Sequence, residues 1–507
     1  MPEQPAPDFP LPYMPQERPQ KKLRERYKLL VTVFVAIIVV LIAVASAYLL
    51  MHKSDADNMS AKRLFTYYYR DGKTVLWQGV EPFAADSPSF VHRVYDELTD
   101  RYGTAPFRGT VDWKITTTLD TSLQATAKQQ LIAQQQQLTT QDAQDAALMA
   151  QDVTTGEIVS WVVGFDDTFA KSDEDRLSSG RTQAGTLILP LVYAVYMDNT
   201  NTGAGTLLND TQEPLPGYPC ADAASCLQNL DRRYLGQVTL RQALGGVRLV
   251  PAVGAMTSTI PGDTSPGSIE SINKTIRAIQ SMMGNGRGYS CYAPGTAPYT
   301  RLRDFDKPDQ CYGAAAMGDQ AYAAPQDMVE AYATLSNNGK QLRQTTVLKL
   351  ERNGKVVDYL RVDPGKQAAK EDTAYIISDI LSDPNASYLS TKNKSVFTVG
   401  SNKVSTMVGV TNDASSAGTI QYSSKYVVGF WAFGGQDPGQ YLKGFSELYA
   451  LPIVSGWLTA AHQNQKYPER VRPSGVKELT SPVINLGSGP AIPGPSPAID
   501  LYPSWYK

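Results

Sequence analysis

A run of 23 residues without a charge, 29–51, constrains this chain more than any other stretch of it. At about 1.5 Å of rise per residue, a helix of that length crosses a hydrocarbon core of about 30 Å. Lys21, Lys22, Arg24, Arg26 and Lys28 lie just before it. Basic flanks stay on the cytoplasmic side, so the bulk of the chain is expected outside, behind a single transmembrane signal-anchor helix. The alternative is a cleaved signal peptide, since Ala45, Ser46 and Ala47 resemble a small-residue cleavage site. Against that, the apolar run continues past the site and the region ahead of it is long. Residues 1–28 are Pro-rich and polar and read as a disordered cytoplasmic tail.

With 507 residues, 42% of them hydrophobic and 19% charged, the chain can bury a large core in one large domain or two to three smaller ones. Its formal net charge of −2 argues against nucleic acid as a partner. Three histidines far apart and four cysteines in no C-x-x-C pair give no pattern for structural zinc, and no cofactor is implied. Cys220 is close in sequence to Cys226, and Cys291 to Cys311. An outside location favours two local disulfides, 220–226 and 291–311, among the three pairings four cysteines allow; four free thiols are the alternative.

After the apolar run, residues 65–79 read as a hairpin turning at Asp71-Gly72, and 88–118 as a helix followed by a strand. Asp120 stands where it would cap a helix with Leu123, Ala127 and Leu131 on one face. Residues 146–163 read as a buried hairpin. Helices are expected at 239–244, 268–284, 325–335, 371–382 and about 450–463, a further hairpin over 345–357 through Asn353-Gly354, and strands within 394–411 and 425–433. From Pro468 the composition is that of an extended or disordered tail. Frequent hairpins without a regular βαβ rhythm predict an α+β fold, an antiparallel sheet flanked by helices. The expected domains are 1–28, 29–51, a connector at 52–106, a main domain at 107–467 and the tail at 468–507.

The stretch 181–194 has Gly185 opening an apolar helix, with Thr186 and Leu189 three residues apart on one face. Other segments share a pattern with it in order: TTTLDTSLQ at 116–124, DVTTGEI at 152–158, VTLRQAL at 238–244, VPAV at 250–253, AYAT at 331–334, TND at 411–413 and VVGFW at 427–431. Together they make residues 88–476 resemble the transpeptidase half of class A penicillin-binding proteins, a β-lactamase/transpeptidase-like fold, including the connector that joins it to a glycosyltransferase domain. Only 36 residues separate Met51 from Pro88, too few for that second domain.

The resemblance implies three catalytic elements, and each is degenerate. The S-x-x-K motif falls on Thr186 to Leu189, so a hydroxyl stands without the lysine that would deprotonate it. The Ser-x-Asn element falls on Val247, Arg248 and Leu249, and the Lys-Thr-Gly element on Met407, Val408 and Gly409, with Val410 next. Backbone oxyanion donors could persist, but the proton relay and the cation for a substrate carboxylate are gone. Two further S-x-x-K matches, Ser271 to Lys274 and Ser474 to Lys477, are at chance frequency.

The expected function is a pseudoenzyme of the bacterial cell membrane. It would be single-pass with its main domain extracytoplasmic, scaffolding or regulating peptidoglycan machinery, with divisome or elongation proteins or peptidoglycan itself as partners. Two other readings stay open: a divergent D,D-transpeptidase or carboxypeptidase acting through Thr186, and a structural subunit of a surface assembly.

Overall fold

The computed structural model describes residues 64–507 other than 85–86, 110, 165–174, 179–181, 217, 219, 223, 285–287, 292–310, 360–362, 388–393, 435–440, 444–446, 464–466 and 481–498. These belong to a single unit, Leu64–Lys507. The expected tail 1–28 and transmembrane run 29–51 lie outside the described residues. Among those described, no helix is long and apolar enough to cross a membrane.

Asp71 Oδ1 accepts from the backbone N–H groups of Lys73 and Thr74 at 2.8 and 2.9 Å, and Gly72 takes a φ of 65°. That turn closes the predicted hairpin of β1 (Phe65–Tyr68) and β2 (Val75–Gly79). Helix α1 (Ser89–Tyr102) follows, then β3 (Trp113–Thr117), which pairs with β1 in parallel. The second exposed hairpin, β6 (Val347–Arg352) and β7 (Lys355–Tyr359), adds to the far side of β3, so one sheet runs β7-β6-β3-β1-β2. Its strands come from both sides of position 106.

The second sheet carries the site. Its order is β8 (Ser405–Val410), β9 (Ser416–Tyr422), β10 (Tyr426–Phe433), β4 (Asp145–Asp152) and β5 (Ile158–Val163), with every neighbouring pair antiparallel. Side chains alternate across a strand. Leu148 and Ala150 of β4, with Val428 and Phe430 of β10, therefore enter one core beside α2 (Thr121–Thr140) and α9 (Glu447–His462). Met149, Val427 and Trp431 enter the other core, beneath α7 (Pro325–Ser336). Burial on both faces explains why these strands read as continuous apolar runs rather than alternating ones.

Local signals behave as their chemistry requires. Asp120 Oδ1 caps α2, accepting from Ser122 N at 2.9 Å and Leu123 N at 3.1 Å. Thr239 and Gln242 form a capping box on α4 (Leu240–Gly245). Helix α7 ends where Asn338 and Gly339 both take positive φ. Remaining helices are α3 (Leu189–Asn199), α5 (Leu249–Thr257), α6 (Ile269–Met282) and α8 (Glu371–Leu381).

The structure corrects three expectations. The fold is α+β with sheets flanked by helices, but there are two five-stranded sheets, and the first contains a parallel pair. A whole strand, β9, lies between the two strand regions expected near the C-terminus. Part of the stretch read as an extended or disordered tail is built into the domain: β11 (Lys477–Thr480) pairs with β12 (Ile499–Tyr502), and Asp500 and Tyr502 are buried. Both expected disulfides, Cys220–Cys226 and Cys291–Cys311, are formed.

Candidate functional site

Gly185 is the pivot. It takes a φ of 55°, and a Cβ there would lie 2.6 Å from the Val410 carbonyl oxygen, so only glycine lets the chain cross β8 this closely. A tight turn over Gly185–Ile188 then leads into α3, with Pro190 in its first turn, where the missing N–H costs nothing. Position 409, the one element of Lys-Thr-Gly retained here, has the same logic. A Cβ on Gly409 would meet Leu187 N at 2.7 Å. Its retention is explained by backbone approach alone.

The first and third segments converge. Val410 N donates to Thr186 Oγ1 at 3.2 Å, and among the described residues this is the hydrogen bond that oxygen makes. The Thr186 hydroxyl thus holds the turn against the edge strand, and no side-chain base is bonded to it there. Beneath, the buried Tyr332 hydroxyl donates to Leu187 O at 2.7 Å, locking the turn from the α7 side.

The second segment meets the third. Leu244, Val247, Met407 and Val408 help line a cavity of about 10 Å³, room for at most one water. Exposure is 3% at Thr186, 0% at Leu189, 8% at Val247, 5% at Leu249, 3% at Met407 and 4% at Val408. The groove is therefore filled by its own walls at these positions. An ionised carboxylate placed among them would have no partner and would pay a heavy desolvation cost.

Two features of this region escaped sequence reasoning. Val247 takes a φ of 53°, a left-handed conformation that a β-branched residue adopts only at a cost of about 1–3 kcal/mol. It is held there by its neighbour: Arg248 Nε donates to Asp210 Oδ2 at 2.9 Å, Nη1 to Asp231 Oδ2 at 2.8 Å and Nη2 to Arg233 O at 2.5 Å. Asn229 Oδ1 accepts from Leu249 N at 2.8 Å and caps α5. The loop before α4 therefore clamps the second segment structurally. A charged residue at the centre of a Ser-x-Asn position was the available signal.

The second feature is the sign of charge at the outer edge of the crossing. Gln183 Nε2 donates to Asp413 Oδ2 at 3.0 Å, and Asn412 Nδ2 to Asp319 Oδ2 at 3.2 Å. Burial, then the nearby Asp413 charge, raises the Asp319 pKa, and burial followed by both carboxylates raises that of Tyr322. This outer edge of the crossing therefore presents two acids, Asp319 and Asp413.

The other S-x-x-K matches offer no replacement. Ser271 is buried and its Oγ donates to Asp263 Oδ2 at 2.6 Å, while Lys274 is exposed; Ser474 and Lys477 are both exposed.

A five-stranded antiparallel sheet between helical layers, with a glycine-pivoted helix start crossing its edge strand, is the fold of penicillin-binding-protein transpeptidase domains. The chain is homologous to penicillin-binding protein 1A. It is 23% identical to that of Neisseria lactamica over 367 residues, 69% of this chain and 41% of that protein. Against penicillin-binding protein 1A/1B of Bacillus subtilis it is 21% identical over 440 residues, 81% of this chain and 42% of that one. The chain thus spans about two-fifths of the curated relatives it matches, a partial match that fits their transpeptidase part. Penicillin-binding protein 1A of Haemophilus influenzae superposes with a TM-score of 0.61 at 15% identity, covering 86% of this chain and 78% of the other. PonA1 of Mycobacterium tuberculosis gives 0.57 at 16% identity, covering 80% and 97%. No family model matches the chain.

Proposed function

We propose that this protein is a membrane-anchored, extracytoplasmic transpeptidase-like pseudoenzyme that works by binding within the peptidoglycan machinery of the cell envelope rather than by acyl transfer. One observation carries the reading: at the crossing of the three motif segments, the Thr186 oxygen is engaged by Val410 N and the positions that would hold base and cation are occupied by buried Leu189, Val247, Leu249, Met407 and Val408. Losing nucleophile or base from a serine hydrolase costs about 10⁶ in kcat, and such losses do not add. Binding needs neither. The uncharged run 29–51 behind its basic flank supports a membrane anchor.

A divergent transpeptidase acting through Thr186 would need that hydroxyl freed from Val410 and exposed to substrate, and a structural-subunit role is favoured by no single contact. The test is in-cell crosslinking with recovery of the full chain under denaturing conditions. Envelope synthesis proteins or glycan strands captured with it support the proposal; recovery of neither overturns it.

A further inference from the structure

At the end of β8 remote from Thr186, a polar cavity of about 90 Å³ opens between the C-terminal turn of α8, the bend at 402–403, the Ser423-Ser424 turn and residues 467–470. Arg470 lines it. Its Nη2 donates to Ser405 Oγ at 2.5 Å and its guanidinium lies over the Tyr422 ring, 5.1 Å from the centroid. Its Nη1 is buried and has no hydrogen-bond partner, and no carboxylate is ion-paired with it among the described residues. The Asp379 charge favours the cation without pairing with it, and a buried donor left unmet costs free energy.

Neither acid in the lining is hydrogen-bonded to Arg470 Nη1. Asp379 is held by Arg241 Nη2 at 2.9 Å, and Glu469 is exposed. Lys403, half-exposed, reaches Asp379 at 3.4 Å. Two positive groups, Arg470 and Lys403, and two acids, Asp379 and Glu469, border a space otherwise walled mainly by hydroxyls and the Asn402 amide. On the same measure one water needs about 10–15 Å³, so the space holds several waters and admits the head of a ligand.

We propose that this cavity binds an oxyanion group, a carboxylate or phosphate at the end of a larger molecule, with Arg470 as the buried charge and Lys403 swinging from Asp379 to close over it. This does not depend on the reading of the Thr186 crossing.

The test is thermal unfolding of the full chain in detergent, titrated with sodium phosphate or sodium acetate against sodium chloride at equal ionic strength. Phosphate stabilises proteins generally by exclusion, so the readout is a saturable rise in midpoint, not a linear one. A saturable rise with either anion is expected, and which anion gives it distinguishes phosphate from carboxylate as the source. Lys403→Met, at an exposed position, should weaken the apparent affinity about fivefold, and Arg470→Met should abolish the effect. If Arg470→Met does not fold, Lys403→Met decides. No saturable rise with either anion, or one unchanged in Lys403→Met or surviving in folded Arg470→Met, shows an adventitious ion only and overturns the site.

Discussion

Restoring a lysine at position 189 tests whether the groove is filled. Leu189 is fully buried at the start of α3. A lysine there would be withdrawn from water, and it opposes the positive end of the helix dipole. Unfolded, it titrates near 10.4; folded, burial of this degree lowers lysine by several units, so it is neutral at pH 7. Deprotonating it at pH 7 costs about 3.4 pH units at about 1.36 kcal/mol each, or about 4.6 kcal/mol. Losing the buried leucine adds about 2 kcal/mol.

The sign follows. A base with a depressed folded pKa is penalised below its unfolded value, so Leu189→Lys should recover about 1.4 kcal/mol per pH unit as pH rises from 7 toward 10. Urea unfolding of the full chain in detergent, followed by tryptophan fluorescence at pH 7 and pH 10 with Leu189→Met as the size control, measures both. A lysine variant within 1 kcal/mol of wild type, with no slope against pH, would refute the reasoning: position 189 would then face an open, hydrated or acidic site.

Thr186→Val should cost about 1 kcal/mol in the same assay, because it leaves the partly buried Val410 N without its acceptor, while Thr186→Ser should stay nearer wild type. Arg241→Met should cost about 3–5 kcal/mol by stranding the buried Asp500, whose two oxygens it contacts at 3.0 Å through Nε; adding Asp500→Leu should recover most of that loss, and a failure to recover would mean the pair is not the anchor of β12. His462 lies buried between the Tyr426 and Tyr467 rings, and burial lowers its pKa to about 4. The unfolded chain binds its proton first, so stability should fall as pH drops from about 6.5 to about 4 and the slope should vanish in His462→Phe; an unchanged slope would assign it to other groups.

Much of the fold could be read in the sequence because it is written locally. Asp120, the Asn353-Gly354 turn and Asn338-Gly339 each act on neighbours a few residues away, and the structure uses each as expected. The relation of 186 to 410 was legible only through a pattern spread over hundreds of residues. What stayed hidden depends on distant partners. Strand β9 is short of large apolar residues, since its Gly418 makes room for Leu187 and Trp431, so its pattern did not announce a strand. Asp500 looked like part of a polar tail until Arg241, 259 residues away, gave it a buried partner. The motif positions pointed to an apolar groove, but whether its walls would meet depended on side chains from three separate segments.

The central claim is that Thr186 is a structural hydroxyl in a closed crossing. Intact-protein mass spectrometry of the full chain in detergent after incubation with a labelled penicillin tests it most directly. The unmodified mass is predicted at every time point; a covalent adduct mapped to Thr186, lost in Thr186→Val, would contradict it.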